Sequence, residues 1–546
     1  MKIFALCKPY LLSQKHTLIA YIALTLAATS IAIITPYIIG EFLDSLIAGA
    51  DVSVIIHFCA VFGGLSVIRI IKGYIAAILY TKMQAKMSYE LGIDTIKHIQ
   101  SLSLSYMNNK DSAYINQRIS SDAVDLIVFC IRFLQNIVTN AIMLAVPFAI
   151  LLTMNWFVAL LMVSFIALYV TIYIFFRKPI YMAGLAFREA QAKLFARLFD
   201  QLKYIKLIKT NAIQKEMNSR ADKCFLKLRS AAIHNQKVNY LYSGMDGFIS
   251  TLAQISLFVV GGIQILLGNF TIGMFTIFSS YFSMMLTSSR YFSGLGAAFQ
   301  NTLVSYNRLK DILEQEPESC GTINIKHIEK IQITNIDFSY ADSSNRAINS
   351  VTANFAKGKM YAISGANGAG KSTLINLMMG LYIDEYSGHI TYNDVDIRQI
   401  EMIDARRRLL GYAEQEPTLI SESIRFNLDF GVNGALDDDE KEQGLASCIA
   451  MLGMQDFISE NTLDFMFNES NTNISGGEKQ KVSILKVLFK NPDVMIFDEP
   501  TSALDASTTQ RFVEYLRKIK QDKIIVLITH DESIKGSCDE VLEVGV

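Results

Sequence analysis

The chain has 546 residues, 51% of them hydrophobic and 18% charged, with a formal net charge of −1 and a mean hydropathy of +0.29. This composition excludes a disordered chain, which would be poor in apolar residues, and a purely soluble enzyme, since soluble domains carry about 25% charged residues. The near-zero charge is a cancellation: residues 1–315 hold 28 Lys+Arg against 15 Asp+Glu, and residues 316–546 hold 22 against 36, which predicts two unlike domains in unlike surroundings.

Six apolar runs fill the first half, at about 17–39, 53–74, 126–153, 156–176, 245–267 and 270–291. Each approaches the ~20 residues needed to span a bilayer, and Trp156 to Phe176 carries no Lys, Arg, Asp or Glu until Arg177. The loop after the first run is acidic (Glu41, Asp44, Asp51), and the turns near Asn155 and at Gly268–Thr271 are uncharged. The other connections are long and basic: residues 177–237 hold 14 Lys+Arg. The positive-inside rule therefore predicts that both long loops, both termini and the acidic half face the cytoplasm. No cleavage site precedes the first run, so it is expected to be retained. The inner loops, about 80–125 and 178–244, lack Gly and Pro for most of their length and are expected to continue as helices beyond the membrane.

Four cations lie near the inner edge of these spans: Arg69, Lys72, Arg132 and Arg290 sit 16 to 22 residues from the outer ends of their runs, roughly 24–33 Å down at ~1.5 Å per residue. They have two readings. One is snorkelling to the interface. The other is a basic ring at the inner mouth of a cavity, selecting an anionic cargo or one with a C-terminal carboxylate. The sixth run also carries Tyr281, Phe282, Met284, Met285, Tyr291 and Phe292, which suit either ordinary packing or an adaptable apolar surface.

The seven Cys (7, 59, 130, 224, 320, 448 and 538) form no close pair and are read as reduced thiols. The apolar runs stop near 312, and residues 313–330 read as a linker. Beyond it, Ile331–Ile336 alternates like a strand, and Met360–Ser364 is a second strand. That strand leads into Gly365-Ala366-Asn367-Gly368-Ala369-Gly370-Lys371-Ser372-Thr373, the GxxxxGKS phosphate loop between strand and helix. Its backbone N–H groups close around phosphate, Lys371 reaches the β/γ-phosphates, and Ser372 offers a hydroxyl to Mg²⁺. Downstream, Asp493–Phe497 is an apolar strand ending in Asp498-Glu499-Pro500. Asp498 suits a Mg²⁺ shell, and Glu499 suits a general base for the attacking water.

Between these elements lies Asn473-Ile474-Ser475-Gly476-Gly477-Glu478. It resembles the LSGGQ signature of ATP-binding cassette proteins, in its SGGE form. Ser475 and the Gly476 and Gly477 amides, at a helix start, make an anion site. The resemblance implies that Ser475, Gly476, Gly477 and Glu478 cap the γ-phosphate held by a second subunit. Tyr340 resembles the aromatic that stacks on adenine, and Gln415 the glutamine that joins Mg²⁺ and water to the membrane domain. Ser502-Ala503-Leu504-Asp505 resembles the D-loop, and His530 the switch histidine on the γ-phosphate. Tyr114–Asp122 and Tyr204–Asn211 resemble the segments around the two coupling helices. The sequence departs from the family at Phe467–Thr472, which keeps Glu469 but lacks the usual glycines, and at Pro500, where Ala is more usual. The chain stops at Val546, so the family's C-terminal helices are expected to be nearly absent. No peptidase-like extension precedes the first span, so any leader peptide would be cleaved by another protein.

The implied architecture is an all-α six-helix transmembrane domain at 1–312, similar to type IV exporters, a linker at 313–330, and an α/β P-loop NTPase domain at 331–546. The implied protein is a half-transporter of the cytoplasmic (inner) membrane that uses ATP and Mg²⁺ and contacts lipid but no nucleic acid. One phosphate loop and one signature per chain require a dimer. Intact Glu499, His530 and SGG favour a homodimer without excluding a heterodimer. The expected activity is ATP-driven export by alternating access. The cargo reading is a small antimicrobial-type peptide, with a lipid or drug flippase and a non-pumping, ATP-gated or regulatory protein as alternatives.

Overall fold

A computed structural model describes residues 2–108, 115–116, 118–340, 346–429, 438–468, 474–502 and 504–545. Tyr114, Gln117, residues 469–473 and Ala503 therefore lie outside the described residues, and with them the glycine-poor segment around Glu469. The chain forms two compact units, one of residues 1–99 and 113–314 and the other of residues 100–112 and 315–546.

The first unit is built from long helices: Lys15–Ile47, Val52–Gln100, Ala123–Met154, Trp156–Lys203, Gln214–Leu266 and Ile272–Leu313, preceded by Lys2–Ser13. Five of these, with the third counted from Arg118, are long and apolar enough to cross a membrane. Ile272–Leu313 is long enough but carries Ser279, Ser280, Ser283, Thr287, Ser288 and Ser289 and is not among the five, so the described residues show five such helices where six spans were expected. The chain is a multi-pass membrane protein.

The helix ends follow local chemistry. Asn155 caps Trp156–Lys203 by accepting from the Phe157 and Val158 amides, both at 3.1 Å. Thr271 caps Ile272–Leu313 by accepting from Met274 N at 3.0 Å, and donates to Asp44 at 2.6 Å. The helices Trp156–Lys203 and Gln214–Leu266 run on well past their apolar runs, as their Gly- and Pro-poor sequences predict. A short separate helix, Ile205–Thr210, forms the tip between them. Two apolar clusters hold this unit together. One gathers Cys7, Met83, Met87, Leu126 and Ile127, and the other Leu151, Val158, Phe278 and Tyr281.

Residues 118–122 form a π-helical turn that leads into Ala123–Met154. It buries an ion pair, Arg118 Nη1 to Asp122 Oδ2 at 3.1 Å, and Asp122 Oδ1 also accepts from Ser305 at 3.1 Å. These bonds tie the turn to helix Ile272–Leu313.

In the second unit, a four-stranded antiparallel sheet has the order β2-β1-β4-β5, with β1 Lys330–Phe338, β2 Ile348–Ala356, β4 Tyr386–Tyr392 and β5 Val395–Asp396. A five-stranded parallel sheet has the order β6-β7-β8-β3-β9, with β3 Lys359–Ser364, β6 Leu410–Ala413, β7 Val494–Asp498, β8 Ile524–Ile528 and β9 Glu540–Glu543. Side chains alternate across a strand, and two cores result. Ile363, Val494, Ile496, Val526 and Ile528 join the core shared with the antiparallel sheet. Met360, Met495, Phe497, Ile525 and Leu527 join the core under helices Gly476–Lys490 and Ala506–Ile519.

The Asp122 carboxylate gives a stability test. Removing one partner of a buried pair costs about 3–5 kcal/mol, so Asp122→Ala should lower the thermal unfolding midpoint in detergent. Arg118→Met combined with Asp122→Leu should recover most of the loss.

Candidate functional site

In open parallel sheets, ligands bind at the carboxyl ends of the strands, and the phosphate loop, Asp498, Glu499, Gln415 and His530 converge there. β3 ends at Ser364 and turns through the phosphate loop into helix Lys371–Met378. Gly370 has φ +90°, and a Cβ there would lie 2.3 Å from Ala347 O. At Gly365 a Cβ would lie 2.4 Å from Val544 O. Gly368 has φ +81°, so this backbone path requires glycine. Asn367 and Gly368 sit at the crest of the turn between them.

Lys371 is buried, and its Nζ donates to the carbonyls of Gly365 and Ala366 at 2.9 and 3.1 Å. The ammonium is thus stored inside the loop it would serve. Ser372 Oγ donates to Asp498 Oδ2 at 3.0 Å. Tyr412 Oη, on the neighbouring strand β6, donates to the same oxygen at 3.2 Å. Burial pushes the Asp498 carboxyl above its usual range, against the bonds from Ser372 and Tyr412 and the charge of Lys371. Burial likewise pushes the Tyr412 phenol up, which keeps it a donor.

Glu499 follows with φ +45°, a conformation that turns the chain out of the strand. Its backbone N–H donates to Ile528 O at 3.0 Å. Gln415 Nε2 donates to Glu499 Oε2 at 2.8 Å, and His530 Nε2 lies 3.7 Å from Glu499 Oε1. A carboxylate, an amide and an imidazole thus meet at one point, drawn from the ends of β7, β6 and β8.

The structure gives four of the predicted residues additional jobs. Tyr340 Oη shares a hydrogen bond with Thr373 Oγ1 at 2.9 Å, and its ring stands edge-on to Tyr382 at 5.8 Å. Ser475 and Glu478 form a capping box at the start of Gly476–Lys490, with Ser475 Oγ donating to Glu478 at 2.6 Å. Asp505 caps Ala506–Ile519, accepting from Thr508 N at 2.9 Å and from Ser507 Oγ at 2.6 Å, bonds that hold its carboxyl well below the usual range. A Cβ on Gly476 would meet open space.

The hydroxyl and carboxylate oxygens at Ser372 and Asp498 suit a hard cation such as Mg²⁺, which is usually held by one or two carboxylates, waters and phosphate oxygens. Among the described residues no group of three or more His, Cys, Asp or Glu could hold a metal.

In the membrane unit, Arg132 and Arg290 line one cavity of about 600 Å³, together with Asp125, Phe129, Asn136 and Tyr291. Arg69 and Lys72 do not line it. Arg290 is committed to Asp246, with Nη2 to Oδ2 at 2.8 Å and Nε to Oδ1 at 3.1 Å. Arg132 lies over the Tyr80 ring at 5.9 Å. Two of the four cations thus meet at one cavity, and one of these two is paired with a carboxylate. All seven cysteines are free.

The sequence reading missed Tyr412, whose bond to Asp498 crosses between strands. It also missed Asn108, from the short helix Leu104–Asn108, whose Nδ2 donates to Tyr382 Oη at 3.0 Å. Neither residue carries a motif; only the alternation of β6 placed the Tyr412 side chain on the sheet face it shares with Tyr361 and Ile496.

A strand, a glycine loop and a helix, with a carboxylate at the end of the neighbouring strand but one, define a P-loop nucleotide-binding protein. Sequence profiles described as ABC transporter and ABC transporter transmembrane region match residues 348–502 and 18–289. The chain belongs to the ATP-binding cassette transporter family and is of its exporter type, so it binds ATP. It is 26% identical over 98% of its length to the lactococcin-G-processing and transport ATP-binding protein LagD of Lactococcus lactis subsp. lactis, covering 74% of that protein. It is 26% identical over 62% of its length to an ATP-dependent lipid A-core flippase of Syntrophus aciditrophicus (strain SB), covering 56% of it. Its fold matches a structure of a bacterial Atm1-family ABC exporter with ATP bound, with TM-score 0.83 and 19% identity over 97% of this chain and 93% of that one.

The loop geometry makes its own prediction. Gly370→Ala should abolish binding of a fluorescent ATP analogue, because its Cβ meets backbone and its φ is strained. Gly476→Ala, whose Cβ would meet open space, should leave the thermal unfolding midpoint of the detergent-solubilised chain unchanged.

Proposed function

We propose that the chain hydrolyses ATP to export a substrate across the cytoplasmic (inner) membrane by alternating access, working as a dimer with its termini and cassette in the cytoplasm. The observation that carries the reading is the meeting of Gln415, Glu499 and His530 beside the Ser372–Asp498 pair. Lys371 leaves its loop carbonyls for the β/γ-phosphates, and the loop amides through Thr373 cradle the phosphate chain. Ser372 and Asp498, with the Gln415 carbonyl, hold Mg²⁺, which when bound offsets the phosphate charge. Glu499 takes the proton of the attacking water, held in place by Gln415 and His530. Tyr340 packs on the adenine. Ser475, Gly476, Gly477 and Glu478 of a second copy complete the site, with Asp505 shaping the adjoining loop. Two identical chains supply two complete sites, which favours a homodimer.

The proposed cargo is a small peptide. The likeness to a lactococcin-processing and transport protein over 98% of the chain supports it. Arg132, placed at a cavity with aromatic walls, offers a contact for a peptide carboxylate. A lipid cargo is the second reading, favoured by the lipid A-core flippase likeness.

In proteoliposomes, Glu499→Gln should bind ATP yet lose turnover by about 100-fold or more, the usual contribution of a general base; near-normal ATPase activity would remove Glu499 from that role. Lys371→Ala should lose nucleotide binding. ATP-driven accumulation of labelled peptide in inverted vesicles tests the export reading, and Arg132→Gln should weaken peptide-stimulated ATPase while sparing the basal rate.

A further inference from the structure

We propose that Tyr412 is a positioning residue for the divalent cation, orienting Asp498 through a direct hydrogen bond. The inference rests on the nucleotide-site reading above and deepens it.

The geometry is specific. Asp498 is the last residue of β7, only 4% exposed, and its Oδ2 accepts from both Ser372 Oγ at 3.0 Å and Tyr412 Oη at 3.2 Å. Both recorded bonds end on Oδ2, so they fix the carboxylate plane and leave Oδ1 aimed along a defined direction. The two donors differ in where they sit. The Ser372 hydroxyl is on the phosphate loop and is itself a candidate cation ligand, its lone pairs free for the ion while its proton goes to Asp498. Tyr412 sits on a different strand, three residues before Gln415, with its ring packed at the edge of the core that includes Ile496. Its register partner on β7 is Ile496, two residues before Asp498. The phenol therefore reaches along the sheet to the carboxylate from a strand, independently of the phosphate loop that carries Ser372. Outer hydrogen bonds of this kind orient a ligand, and their loss typically weakens metal affinity by about 10–100-fold.

The same position joins two parts of the site. β6 carries Tyr412 to Asp498 and, at its end, Gln415 to Glu499. One short strand thus holds both neighbouring carboxylates, one through each residue. A change in the path of residues 412–415 moves the cation ligand and the water-activating group together.

Tyr412→Phe removes one oxygen and keeps the ring in its packing. Mn²⁺ binding to the ADP-loaded, detergent-solubilised full-length chain, followed by electron paramagnetic resonance with ADP alone as the blank, should weaken about tenfold in this variant. Binding of a fluorescent ATP analogue in EDTA should be unchanged. ATPase assays should show a raised Mg²⁺ requirement, with kcat at saturating Mg²⁺ within about twofold of the parent, a split that loss of folded protein would not produce. Mn²⁺ affinity equal to the parent's would overturn this inference alone. Absence of Mn²⁺ binding by the parent above the ADP blank would overturn the nucleotide-site reading and this inference with it.

Discussion

A buried carboxylate at the end of a fully apolar strand sets the terms for the nucleotide unit. Every side chain of β7, from Val494 to Asp498, is buried, and ending such a strand in Asp498 places a charge where burial disfavours it. The protein answers with two donors, Ser372 and Tyr412, and with the Lys371 ammonium nearby. Each comes from a different segment, so the phosphate loop, β6 and β7 are held together by the need to satisfy one group. The neighbour, Glu499, is turned out of the strand by its positive φ and pinned by its own N–H on Ile528. Adjacent carboxylates thereby acquire different surroundings, one buried and held by two donors on one oxygen, the other partly open and flanked by Gln415 and His530.

The membrane unit handles buried charge in the same manner. Asp122 engages Arg118, Ser305 and Arg308 across the π-turn and helix Ile272–Leu313. Asp246 engages Arg290, whose Nη2 also donates to Ser250 at 2.9 Å. In low dielectric an ion needs a partner and hydrogen bonds, and the Asp122–Arg308 and Asp246–Arg290 pairs each join separate helices. These pairs therefore constrain helix packing as well as charge. The cations at similar depth are not equivalent: Arg290 is paired with Asp246 on a neighbouring helix, and Arg132 lies over the Tyr80 ring.

Much of the nucleotide site was legible because its parts are short and local. A glycine loop between strand and helix, or two carboxylates ending an apolar strand, has a signature within ten residues. The helix caps were less legible in their consequence. Ser475 and Asp505 read as ligand-contacting motif residues, yet in the chain their side chains cap helices Gly476–Lys490 and Ala506–Ile519. Both belong to residue types that satisfy free N–H groups at helix starts, so a capping role is built into the motif itself. The sixth apolar run shows the opposite limit: its length is clear, but its run of serines and threonines makes composition alone ambiguous.

By itself the sequence determined the long apolar helices, the two unlike halves and the motif residues of the candidate ATP site, because periodicity, charge bias and turn chemistry act over a few residues. The tertiary structure decided which of those residues meet. Strand order β6-β7-β8-β3 brought Tyr412, Asp498, His530 and Lys371 to one edge across as many as 159 positions of sequence. It also placed residues 100–112, flanked by membrane helices, in the compact unit of the cassette, with Asn108 on Tyr382. Such meetings depend on which faces pack and which buried charges find partners, and those are properties of the whole fold that no local pattern carries.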